Sequence, residues 1–271
     1  HAVLIECTIR HAGSNGDHVA LSGWVRELSA LVLLELATLR VLPAGGLPSL
    51  TLPADKLPDL RSIRLNLLLP LPSGALRLRF APGELHIARA EDDANEDETP
   101  LVVVLHPDAP LPPGASRPYF EIVPGLFLAL SDNNPLSDFE AHPDKEGNAL
   151  SLGDRTVAQW VESLRGCFAL IDRFLPHFAA ELRLMARLII PVGWDPERHL
   201  SASYQEYIGA IYMTLHPNEM TMVEAVVHEF QHNKINAAFN LDPLLGNAFS
   251  PLFSSPVRPD PRPLHGVILA V

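Results

Sequence analysis

Val226-Val-His-Glu-Phe-Gln-His-Asn-Lys234 lies inside a helical pattern that runs from Met220 to Phe239. On a helix, residues four apart sit one turn above each other. His228 and His232 therefore project from one face and can share a divalent metal. Glu229, one residue round, reaches the edge of that metal's coordination shell. Val223, Val226, Val227 and Phe230 place the other faces in a core, which fixes the ligand geometry. The bland alternative is a helix that happens to carry two histidines beside a glutamate. The change from apolar residues before the motif to polar residues after it favours the metal.

Two histidines do not make a tight site. A zinc peptidase of the long-spacer type takes a glutamate from a later helix, but the only acids after His232 are Asp242 and Asp260, and the only later histidine is His265. Ala238 occupies the position at which a metzincin would carry its third histidine. His265 opens an apolar segment, Leu264 to Val271, that reads as the start of another helix, and it is the preferred third ligand. Asp242, Asp260 and Glu224 stay open behind it. Ahead of His265 runs Ser255-Pro-Val-Arg-Pro-Asp-Pro-Arg-Pro263. Alternating prolines hold such a segment extended, so Arg258 and Arg262 are expected on a stiff rail leading into the site. An arginine fork suits a carboxylate; the plainer reading is two solvated charges.

Outward from the motif, Ile208–Leu215 reads as a strand and Leu188–Val192 as a shorter one. Helices are expected over 177–187 and from a cap at Asp154 to Pro176, the latter on the stripe Val157, Trp160, Val161, Leu164, Phe168 and Ile171. A segment rich in Asp, Asn and Pro covers 131–149. Before it the pattern has period two, as in Arg77-Leu78-Arg79-Phe80 and Glu84-Leu85-His86-Ile87, with further strands at 101–105, 120–123 and 125–130. Six acids between Glu91 and Thr99 read as an exposed loop. The spacing of Trp24, Val25, Leu28, Leu31, Val32, Leu36 and Leu39 predicts a helix over 21–41, stopped by Gly45-Gly46. His142, His199 and His216 read as surface or packing residues.

The fold class expected is α+β. An N-terminal helix and a mainly antiparallel sheet region, 1–130, precede a helical metal-binding half, 131–271, that carries the HExxH helix; the two could also be one continuous domain. The first region is a candidate for peptide recognition at a sheet edge.

Apolar residues make up 47 % of the chain, enough to bury a core, so wholesale disorder is excluded. Twenty Lys and Arg against 32 Asp and Glu leave a net charge of −12, which argues against wrapping nucleic acid or lying on an anionic membrane. No apolar run reaches the roughly 18 residues of a spanning helix. Cys7 and Cys167 read as free thiols of a reducing compartment, and a cytoplasmic location is expected. The oligomeric state is not legible.

Three segments resemble one known family: Ser201-Ala-Ser-Tyr-Gln-Glu-Tyr-Ile-Gly209, Val226–Lys234, and Pro256-Val-Arg-Pro-Asp-Pro-Arg-Pro-Leu-His-Gly-Val267, with Asp132-Asn-Asn-Pro135 as a weaker fourth. The family is the HExxH-type, 2-oxoglutarate-dependent peptide β-hydroxylases that modify ribosomally made peptides, and the likeness covers roughly the C-terminal half. It implies a mononuclear Fe(II) site that uses 2-oxoglutarate and O₂ to hydroxylate a β-carbon in a precursor peptide. Carried over by position, His228, His232 and His265 would be ligands. Arg258 or Arg262 would clamp the distal carboxylate of 2-oxoglutarate. Glu229, the catalytic candidate, need not be a base there; it could orient a ligand or hold a bound water. The alternative enzyme is a Zn(II) peptidase in which Glu229 takes a proton from zinc-bound water. A structural metal in a peptide-binding protein would call for a fourth ligand, and none is evident.

Overall fold

The computed structural model describes residues 18–43, 45, 47–54, 59–90, 99–132, 134, 149–205, 207–242, 245–246, 250–254, 256 and 259–269. Cys7, His142, the acidic run 91–98, most of the 131–149 segment and Arg258 lie outside these residues. The chain is a mixed α and β protein with antiparallel sheets and, among the described residues, five helices. It divides into two compact units, His1–Tyr119 and Phe120–Val271.

In the first unit, helix α1 (His18–Thr38) buries Ala30, Leu34 and Ala37, which fall three and four residues apart and so share one face. It ends earlier than the expected Val41. The amide of Val41 bonds the carbonyl of Leu36 and that of Arg40 bonds Ala37, with Arg40 left-handed at φ 57°. That paired closure is a Schellman end, which needs one residue of positive φ and does not wait for the glycines at 45 and 46. The sheet beside α1 has the order β1 (Ser49–Leu52), β4 (Leu76–Ala81), β5 (Glu84–Arg89), β6 (Leu101–Val104), antiparallel throughout. Its register sets Leu78 opposite Ile87 and Phe80 opposite Leu85, so the period-two pattern delivers Leu76, Leu78, Phe80, Leu85 and Ile87 to one core. A short antiparallel pair, β2 (Leu60–Ser62) and β3 (Leu67–Leu69), adds Leu60, Leu67 and Leu69 to it.

The second unit combines its four helices with a sheet. A five-stranded sheet runs through it in the order β10 (Ser201–Ala202), β11 (Ala210–Leu215), β9 (Leu188–Trp194), β8 (Leu126–Ala129), β7 (Tyr119–Val123). Strands β8, β9 and β11 are mutually parallel neighbours, while β10 is antiparallel to β11 at the edge. Parallel strands need long crossovers, and α2 (Val157–Phe174) with α3 (Pro176–Met185) fill the one between β8 and β9. Strands covered on both faces lose their alternation and become continuous apolar runs. All six residues of β11 are buried, so its apolar run, read as a strand, carries no alternation to show which neighbours it takes. Helix α2 starts two residues later than expected: Thr156, not Asp154, is the cap, in a reciprocal pair with Gln159.

Helices α2 and α4 (Glu219–Leu241) share one core with this sheet. Trp160, Leu164, Cys167 and Ile171 from α2 and Met222, Val226 and Phe230 from α4 meet Ile189, Ile211 and Met213. Each such large side chain contributes about 1.5–3 kcal/mol by leaving water, which holds the metal-motif helix rigidly against the strands. No helix among the described residues is long and apolar enough to cross a membrane.

Candidate metal centre

Helix α4 opens on Asn218, whose side chain accepts the amide of Met220 at 2.9 Å. Its buried stripe changes character along its length: Met222, Ala225 and Val226 are followed by Glu229, Phe230, Asn233 and Asn236. The apolar half anchors the helix and the polar half faces the segment 201–210. Asn233 makes that junction specific. Its Oδ1 accepts the Gly209 amide at 2.7 Å, and its Nδ2 donates to the carbonyls of Glu229 at 3.0 Å and Ala210 at 3.3 Å.

On this scaffold the structure brings His228, Glu229 and His232 together, with one ligand atom from each lying within 4.8 Å of the others. The two imidazole rings are 4.3 Å apart between centroids. His228 is exposed, His232 half-buried and Glu229 buried, so the group opens outward at the histidines and is closed at the carboxylate. Two imidazole nitrogens one helical turn apart are donors that suit zinc or iron, and a buried carboxylate stands beside them to orient a ring. The residues present therefore fit a divalent metal.

Glu229 is the most constrained of the three. Ser201 Oγ donates to its Oε1 at 2.7 Å and Ser203 Oγ to its Oε2 at 2.7 Å. His232 Nδ1 stands 3.5 Å from Oε2. Burial pushes the Glu229 carboxyl up, but hydrogen bonding from His232, Ser201 and Ser203 outweighs it and holds the group below its ordinary value as a carboxylate. The two serines were not singled out in the sequence. Their signal is the period of two: residues 201 and 203 on an extended segment present both hydroxyls to the same side.

His265 stands in the first turn of α5 (Leu264–Leu269), and its side chain lies outside the described residues. Arg258 lies outside them altogether. Arg262 is on β13 (Arg262–Pro263), where its Nε donates to Asp260 at 2.8 Å. At the described end of the expected rail, β13 pairs antiparallel with β12 (Leu252–Phe253), setting Phe253 opposite Arg262. Asp242 caps the C-terminus of α4 and Glu224 is exposed. His199 packs against Thr214, its Nδ1 3.3 Å from the hydroxyl, and His216 Nδ1 accepts the Asn218 amide at 3.0 Å.

Asp132, from the fourth resembling segment, accepts the Tyr212 hydroxyl on both oxygens at 2.9 Å. Burial, then the charge of Asp132, pushes the Tyr212 phenol far up, so it stays protonated and donates.

No family model matches the chain, and no curated protein matches it at a significant level.

Proposed function

We propose that the chain is an Fe(II)- and 2-oxoglutarate-dependent hydroxylase that places a hydroxyl on a β-carbon of a residue in a ribosomally made precursor peptide. The observation that carries this reading over the zinc peptidase is the state of Glu229. A peptidase base needs a carboxylate oxygen within about 2.6–3.2 Å of the attacking water. Here the carboxylate is buried, and a serine hydroxyl on each oxygen competes with any water for its lone pairs. A hydroxylase asks no base of that position.

In this reading His228 and His232 hold the metal and His265 completes the protein ligands. Iron, when bound, supplies the O₂ chemistry at the coordination positions left open. Arg258 or Arg262 grips the distal carboxylate of 2-oxoglutarate through parallel N–H donors. Asp260 accepts from Arg262 Nε at 2.8 Å. The precursor peptide is the partner; an edge strand of the first unit, β1 or β6, is a surface it could extend by strand addition.

The test is turnover without the peptide. Iron-loaded protein in air should release succinate from 2-oxoglutarate slowly but in proportion to enzyme, and His228→Ala should abolish the release. Zinc-loaded protein that instead cleaves an unstructured chain such as casein, with no succinate from the iron form, would establish the peptidase.

A further inference from the structure

We infer that Ser201 and Ser203 form a two-hydroxyl clamp that makes Glu229 a positioning residue for His232, neither a metal ligand nor a base. The inference rests on the metal-centre reading above but not on the identity of the metal or the reaction.

Each serine donates to a different oxygen of one carboxylate, both at 2.7 Å. Two short charge-assisted bonds from one extended segment fix the plane of the carboxylate as well as its place. That plane presents Oε2 toward His232 Nδ1 at 3.5 Å. A carboxylate facing one ring nitrogen favours the tautomer with its proton there, which leaves the lone pair of Nε2 for a cation. The Ser201 partner sits on β10, itself paired to β11 through Ser201 opposite Met213. Asn233 ties the start of β11 to α4. The clamp and the histidine it orients are thus held on a common frame. Without the hydroxyls, the Glu229 carboxylate would lose the fixed plane that presents Oε2 to His232.

The test uses the metal-stripped full chain and Co(II) alone, whose visible bands report coordination. Replacing both serines (Ser201→Ala with Ser203→Ala) should weaken Co(II) binding about ten- to a hundredfold, the usual effect of removing a partner that orients a metal-bound histidine. Stoichiometry should stay at one. Each single Ala variant should lose part of the affinity, and Ser203→Thr, which keeps a hydroxyl, should recover most of what Ser203→Ala loses. Glu229→Gln should bind Co(II) more weakly with the band intensities of the parent. Unchanged affinity in the single and double serine variants would overturn the clamp. Altered bands or lost stoichiometric binding in Glu229→Gln would show that Glu229 is itself a ligand. Because neither 2-oxoglutarate nor peptide enters the experiment, its failure and the failure of the hydroxylase reading are read separately.

Discussion

Asn233 on the motif helix accepts the main-chain amide of Gly209 at 2.7 Å, one turn beyond Glu229 on the same buried stripe. This bond joins the helix that carries the histidines to the start of β11. Asn233→Leu keeps the volume but leaves the Gly209 amide buried without an acceptor, at a cost of about 1–3 kcal/mol. Denaturant unfolding should show that loss, and metal affinity should fall with it because the 201–210 segment is no longer tied to α4.

Gly209 is itself irreplaceable for a second reason. Its φ is +92°, and an added Cβ would stand 2.8 Å from the carbonyl oxygen of Met185, a backbone atom that cannot swing aside. Gly209→Ala should therefore destabilise the chain by about 1–3 kcal/mol, seen as a lower melting temperature. A variant as stable as the parent would mean that this junction rearranges freely.

The buried thiol of Cys167 gives a pH dependence with a definite sign. Burial, followed by the charge of Glu219, pushes Cys167 up to about 12. In a Cys7→Ser background the folded chain should resist thiol reagents at pH 8 and react only once unfolded. Above about pH 8.5, the ordinary thiol value, the unfolded chain sheds its proton while the folded chain keeps it. Stability should therefore fall as pH rises from there toward 12, and Cys167→Ala should remove that part of the slope.

The arginines can be separated by cosubstrate dependence. Replaced singly by Ala, Arg258 or Arg262 should raise the KM for 2-oxoglutarate at least about tenfold for the one that grips the carboxylate, the equivalent of a lost charged hydrogen bond. No change for either would remove both from the site.

The motif helix was legible because 3.6-residue periodicity, a cap and an apolar stripe all coincide over 219–241. The antiparallel strands of the first unit were legible for a similar reason, since β4 and β5 each bury alternate residues. The parallel arrangement was not. Leu188–Ile190 and Ala210–Leu215 read as strands, but they are covered on both faces, so no alternation in their runs announces which strand lies beside which or in which direction. Ser201 and Ser203 were hidden for another reason: their role exists only because the chain brings them back to a glutamate 26 and 28 residues later. The placing of Arg262 likewise depends on the pairing of β13 with Leu252 and Phe253, which proline content alone does not announce.

If this centre holds iron and chelates 2-oxoglutarate as proposed, an anaerobic absorption titration will show it. Metal-free protein is given Fe(II), then 2-oxoglutarate. The expected result is a visible charge-transfer band that needs both additions, saturates at one equivalent of each and is absent in His232→Ala. Contradiction would be no band after both additions, together with tight, stoichiometric zinc binding at the same histidines.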